Sequence, residues 1–189
     1  MQRIAKFEKV SFHQFKRDWL DCYPKFQGAG EDLKTIYSQI RLPKRATTDS
    51  AGCDFFAPSD LSIYPSDSQM INSDDSPFKI LKGDIKIPTG IRCYIENGWL
   101  LQIYPRSSLG FKYGIRLANT VGIIDSDYYN SDNEGHIFVK LINDSSIRDA
   151  IKIEAGQAFC QGIFTPYGVT YDDNTDRKRN GGFGSTDNI

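Results

Sequence analysis

The residues best equipped for chemistry lie at 179–189, Arg179-Asn180-Gly181-Gly182-Phe183-Gly184-Ser185-Thr186-Asp187-Asn188-Ile189, where three glycines surround one phenylalanine beside an arginine and two hydroxyls. Glycine inside a helix or strand costs roughly 0.5–1 kcal/mol relative to alanine, so this stretch makes a poor structural element. It has the parts of a clamp. Backbone N–H groups in a glycine-rich turn cradle phosphate oxygens, Arg179 can fork onto them, and Phe183 can lie over a flat ring. Taken alone, the same composition suits an unstructured terminus equally well.

Two interior segments carry matching chemistry. Tyr104-Pro105-Arg106-Ser107-Ser108-Leu109-Gly110 places a guanidinium and two hydroxyls at the end of an apolar run, where Pro105 stops regular pairing. Further on, Asn119-Thr120-Val121-Gly122-Ile123-Ile124-Asp125-Ser126-Asp127-Tyr128 sets an amide, a glycine and two acids on a short Val/Ile segment that reads as a hairpin. An asparagine side chain offers both donor and acceptor, as the edge of a pyrimidine requires. Each piece alone is common in β-proteins. Their order along one chain gives them weight.

That order resembles the trimeric dUTPases. Five segments match the family's five motifs in sequence: Ala51-Gly52-Cys53-Asp54-Phe55-Phe56-Ala57, then Pro105 to Gly110, then Asn119 to Tyr128, then Gly156-Gln157-Ala158-Phe159-Cys160-Gln161, and finally Gly181 to Thr186. The second, third and fifth are specific; the first and fourth would not persuade alone. The likeness covers roughly residues 40 to 189.

The resemblance implies a fold and an activity. The fold is all-β, the distorted jelly-roll-like barrel of the dUTPase superfamily, here with a short helical N-terminal arm. The activity is hydrolysis of dUTP to dUMP and pyrophosphate, which keeps uracil out of DNA and supplies dUMP for thymidylate synthesis. By resemblance, Asp125 is the base that activates water, and it also approaches the sugar 3′-hydroxyl. Tyr128 presses against the deoxyribose and leaves no room for a 2′-hydroxyl. Asn119, Gly122 and Ile123 bond the uracil edge, and a tight wall there rejects the thymine methyl. Arg106, Ser107, Ser108 and Gln161 receive the phosphates. Arg179, Gly184, Ser185 and Thr186 arrive with the tail, and Phe183 stacks on the base. Mg²⁺ is the expected cofactor, since it binds substrate phosphates while keeping several waters. Asp54 is the acid expected to steady one of those waters from outside the coordination shell. A homotrimer with active sites between subunits is implied as well.

The chain departs from the family in three places. Gly156-Gln157-Ala158 stands where Gly-Asp-Arg is usual, so one structural ion pair is missing. Tyr129-Asn130 follows Tyr128 where Arg-Gly or Gln-Gly is usual, and opens a longer loop. The usual register of the tail arginine falls on Lys178, leaving Lys178 and Arg179 as alternatives for phosphate contact. The related dCTP deaminases would require a glutamate where Lys140 stands, and they lack the Gly-Gly-Phe-Gly tail. A regulatory role in binding a protein partner, alongside catalysis, stays open.

Composition is consistent with one enzyme domain. The 189 residues carry 23 basic and 24 acidic side chains, a formal charge of −1, so no general field draws nucleic acid or an anionic membrane. Phosphate affinity must be local. Four cysteines without C-x-x-C spacing and only two histidines argue against a zinc site. No apolar run approaches the ~20 residues of a membrane span. The N-terminal residues lack a signal-peptide pattern, and the cytoplasm is the expected compartment.

The positioning elements follow from periodicity. Phe12, Phe15, Trp19 and Tyr23 recur at helical spacing, with Ser11 and Gln14 placed for a capping box and Pro24 as a stop. A second helix is expected from Glu31 to Ile40. From about Ala46, short apolar runs divided by Gly, Asn, Asp and Pro predict strands at Ile85–Ile87, Ile91–Ile95, Trp99–Tyr104, Ile115–Leu117, Ile137–Ile142, Ile151–Ile153 and Phe159–Phe164. Residues 65–77 and 130–135 read as surface loops. The expected organisation is an arm at 1–40 packed on the body, a barrel at 41–176, and a flexible glycine-rich clamp at 177–189.

Overall fold

The computed structural model describes residues 2–24, 30–65, 84–145 and 150–176. The N-terminal portion contains a strand β1 (Ala5–Lys9) and helices α1 (Phe12–Cys22) and α2 (Gly30–Gln39). Ser11 caps α1: it is extended at φ −60°, ψ 154°, and its hydroxyl accepts the Gln14 N–H at 3.1 Å. Only half of the capping box forms, because the Gln14 amide turns to Asp18 and Arg17 instead. Phe15 and Trp19, one turn apart, are fully buried.

The body is built from β2 (Lys44–Arg45), β3 (Cys53–Phe56), β4 (Leu61–Ile63), β5 (Asp84–Pro88), β6 (Ile91–Ile95), β7 (Trp99–Pro105), helix α3 (Ser107–Tyr113), β8 (Ile115–Leu117), β9 (Gly122–Ile124), a 3₁₀ turn (Ser126–Asn130), β10 (Phe138–Asn143), β11 (Ile151–Ile153) and β12 (Ala158–Pro166). The ladders run β2-β3-β12-β7-β9, β5-β10-β8, β1-β6 and β11-β4. Every pairing is antiparallel. Non-consecutive neighbours such as β3-β12-β7 are the crossovers of a jelly-roll-like fold. Alternation explains the core: in β6, Ile91, Cys93 and Ile95 are buried while Arg92 and Tyr94 are not. Phe55, Leu101, Ile103, Leu117, Val139, Leu141 and Phe159 fill the same interior.

Three features differ from expectation. The arm is not purely helical, since β1 adds a strand to β6 in the register Ala5↔Ile95 to Lys9↔Ile91. The Arg-Ser-Ser stretch is more than the end of a strand. It opens α3, whose end is set by Gly114 in the left-handed region at φ 65°. The segment around Asn119 is not a hairpin either: β8 pairs with β10, while β9 pairs with β7. The chain there crosses from one sheet to the other.

One buried polar link joins the arm to the body. His136 is fully buried; its Nε2 accepts the Gly90 N–H at 2.8 Å, and its Nδ1 lies 2.6 Å from Asp18. With Nε2 an acceptor, Nδ1 carries the proton and donates to the carboxylate, so the imidazole is neutral. Burial holds the His136 pKa below its ordinary 6.5, against the opposing pull of Asp18. Burial alone would raise Asp18, but the hydrogen bonds from His136 and Gln14 and the charge of Arg17 outweigh it and hold Asp18 below its ordinary value. Below about pH 6.5 the unfolded chain therefore binds a proton that folded His136 refuses, and stability is lost as pH falls from there toward the folded value. Asp18 adds a further loss in stronger acid. The expected result is a melting temperature that declines steadily from pH 7 to pH 5; a flat calorimetric profile over that range would exclude a neutral buried imidazole.

Candidate active site

The expected site residues that fall among the described residues form two groups. The first sits at one end of the β3-β12-β7 ladder, where Asp54 pairs with Gln161 and Gln161 with Tyr104. Arg106 follows directly on β7 and precedes α3; its Nη1 lies 3.7 Å from the Asp54 carboxylate. Gln161 Nε2 donates to the Pro105 carbonyl at 3.5 Å, a long bond. A Cβ at Gly52 would stand 2.7 Å from the Gln161 Oε1, so glycine there makes room for this amide. Ser107 and Ser108 are exposed in the first turn of α3, where N–H groups have no intrahelical acceptor. Cation, amide and hydroxyls thus lie at one end of the ladder, residue types suited to phosphate oxygens.

The second group is the crossing from β8 to β9. A cavity of about 80 Å³ is lined by Ile103, Leu117, Asn119, Gly122, Ile123, Ile124, Phe138 and Val139. Its floor is therefore made of core side chains from both sheets. Gly122 pairs with Ile103, and a Cβ at Gly122 would stand 3.1 Å from the Ile103 Cβ, so a side chain there would crowd the approach of β9. The turn is tight: the Val121 N–H donates to the Asn119 carbonyl at 2.6 Å across Thr120, whose φ is +63°. A β-branched residue in that region stores strain of about 1–3 kcal/mol. Asn119 and Ile123 are left exposed at the rim.

Asp125 follows Ile124 as the residue before the 3₁₀ turn, half-buried. Tyr128 is only 4 % exposed, and its hydroxyl donates to the His136 carbonyl at 2.8 Å while accepting from the Asn133 amide at 2.8 Å. Asn133 and His136 were not among the expected site residues. The only sign of them in the sequence is the Asn-Glu-Gly turn that places them.

Asp125 and Arg106 stand apart within the chain. Ile124 pairs with Leu101, so Asp125 lies opposite Leu100, at the far end of β7 from Arg106. Six residues at about 3.3 Å each put them roughly 20 Å apart along the strand. Arg179, Phe183, Gly184, Ser185 and Thr186, with Lys178, lie outside the described residues. Among the described residues no three His, Cys, Asp or Glu side chains gather to hold a metal, and no helix is long and apolar enough to cross a membrane. Lys140 forms an ion pair with Asp84.

Residues 38–187 match the family model described as dUTPase. A deoxyuridine 5′-triphosphate nucleotidohydrolase of Lactococcus lactis subsp. lactis is 41% identical over 163 residues, covering 83% of this chain and 96% of its own. Another, from Nautilia profundicola, is 33% identical over 159 residues, with 82% and 96% covered. The crystal structure of a dUTPase from Streptococcus mutans aligns with a TM-score of 0.58 at 27% identity, covering 87% of this chain and 97% of that one. A dUTPase from phage phi11 of S. aureus reaches 0.58 at 14% identity, a likeness of fold alone. With a family model spanning most of its length, and relatives that share its sequence across nearly their whole chains, the chain belongs to the dUTPase family.

Proposed function

We propose that the chain hydrolyses dUTP to dUMP and pyrophosphate in sites formed between the subunits of a homotrimer. The observation that carries the reading is the separation of the acid from the cation: Asp125 lies opposite Leu100, six residues and about 20 Å of strand from Arg106. A second copy brings the two together. Closed cyclic symmetry repeats such a composite site at every interface.

The exposed amide of Asn119 and the backbone of Gly122 and Ile123 bond the uracil edge, and the core-lined floor leaves no volume for a 5-methyl group. Tyr128, locked at its hydroxyl, stands as a wall against the sugar. Asp125 accepts the proton of the attacking water at the α-phosphorus. Arg106 and Gln161 of the neighbouring subunit, with the hydroxyls of Ser107 and Ser108, stabilise charge on the phosphate oxygens. The tail at 177–189 closes the site, with Arg179 or Lys178, Ser185 and Thr186 on phosphates, the Gly184 backbone beside them, and Phe183 over the base. The division into arm (1–40), barrel (41–176) and clamp (177–189) belongs to this reading, as does a cytoplasmic setting in which the four free cysteines stay reduced.

Mg²⁺ fits the donors present in one way. Asp54 is mostly buried, beside Arg106, with no other acid among the described residues near enough to complete a cage, so it would hold a metal-bound water rather than the metal. When bound, the ion supplies charge neutralisation on the triphosphate.

Incubation with dUTP, dCTP, dTTP and UTP in the presence of Mg²⁺ tests the reading. Only dUTP should be consumed, giving dUMP and pyrophosphate; deoxyuridine diphosphate and phosphate, or turnover of dCTP, would refute it. Deleting residues 178–189 should lower kcat by about 10²-fold or more, the scale of a lost closing element, with assembly and melting temperature unchanged. Normal turnover by the truncated protein would remove the clamp from the mechanism.

A further inference from the structure

We propose that the N-terminal arm is part of the machinery that discriminates deoxyribose from ribose, with Glu134 and Asp18 as positioning residues. The inference rests on reading Tyr128 as the wall against the sugar. Refusing a 2′-hydroxyl by contact works only if the wall cannot recede, and Tyr128 is carried on a segment, 126–136, with little regular structure of its own.

The arm grips that segment at three points. The Tyr129 hydroxyl donates to Glu8 of β1. The Glu134 carboxylate accepts both the N–H of Ser11 at 2.7 Å and its hydroxyl at 2.6 Å. His136 donates to Asp18 of α1 at 2.6 Å. From the body, Arg92 stacks on the Tyr129 ring at 3.6 Å and donates to its carbonyl at 3.1 Å. Tyr128 is suspended between these anchors: its hydroxyl is fixed by the His136 carbonyl and Asn133, and its own carbonyl by Ser131 at 3.0 and 2.7 Å.

Backbone conformation supports a selected role for Glu134. It has φ +58° and is followed by Gly135 at φ +69°. With the His136 N–H donating to the Asn133 carbonyl at 3.1 Å, this is the backbone of a turn that favours glycine, asparagine or aspartate at both central positions. A glutamate there is strained. What it provides that glycine cannot is the carboxylate that holds Ser11. The arm precedes residue 38, where the family match begins, and the loop opens at Tyr129-Asn130, where the motif departs from its usual form.

The test uses the full chain with Mg²⁺ and compares kcat/KM for dUTP and UTP, alongside the melting temperature. Glu134→Gly relieves the strained φ and removes the Ser11 contact. It should stay folded with a melting temperature near that of the parent, while the dUTP:UTP ratio falls about tenfold, the size of one hydrogen bond to a charged group. Most of the fall should come from gain on UTP. Tyr129→Phe removes only the Glu8 contact and should move the ratio the same way by less. A merely structural arm would shift the melting temperature and leave the ratio untouched, so an unchanged ratio in both variants overturns the proposal. Should Glu134→Gly fail to fold, Tyr129→Phe decides alone. A parent protein that does not turn over dUTP would overturn the reading beneath this one, and would be seen before any variant is compared.

Discussion

Asp125→Asn should abolish dUTP turnover, lowering kcat by about 10²–10⁴-fold, the span usual for loss of a general base, while a non-hydrolysable dUTP analogue still binds. The asymmetry follows from where Asp125 sits. It is the residue after β9 and outside the lining of the base cavity, whose amide, glycine and isoleucine are untouched by the change. Asparagine keeps the size and an acceptor oxygen but takes up no proton near neutral pH. Turnover and equilibrium binding of the analogue, measured on the same preparation, separate the two effects. Near-normal turnover would rule out Asp125 as the base, and lost binding would make it a substrate anchor instead.

Arg106→Ala should be comparably inactive, and yet a mixture of the two inactive variants should work. If Asp125 and Arg106 of one site come from different subunits, co-expression in equal amounts gives oligomers in which some interfaces pair an intact Asp125 with an intact Arg106. Random assortment in a closed ring puts that combination at about one quarter of sites. Activity of the mixture should approach a quarter of the parent value, from components that each show almost none. Mixing without subunit exchange should restore nothing. If co-expressed variants stay inactive despite verified mixed oligomers, both residues serve the same subunit's site, and the separation along β7 must close in some other way.

Much of this fold was legible in the residues. Helix α1 announced itself through Phe15 and Trp19 at one-turn spacing behind Ser11, and β6 and β8 fall where the alternation of Ile91–Ile95 and Ile115–Leu117 put them. Strand β1 was invisible because Ala5-Lys6-Phe7-Glu8-Lys9 has one large apolar residue and draws its order from pairing with β6. Helix α3 was masked by serines and glycine, poor helix formers that the barrel nonetheless holds in a helix. The family was legible as an ordered set of motifs. The spatial arrangement of those motifs was not. Nothing local says that β8 and β9 join different sheets, that Asp125 and Arg106 stand at opposite ends of one strand, or that Glu134 reaches back to Ser11. Those are long-range facts of tertiary pairing.

The cavity proposed to receive the base is lined by Ile103, Leu117 and Val139, and the same side chains seal the interior of the molecule. Trimming any of them to admit a bulkier pyrimidine would leave a void costing about 1–4 kcal/mol, against a total stability of about 5–15 kcal/mol. Broadened base choice is therefore penalised before any substrate is met. On the proposed reading, a lineage drifting toward thymidine nucleotides would shed foldable protein first, and fidelity would persist as a by-product of the need to stay folded.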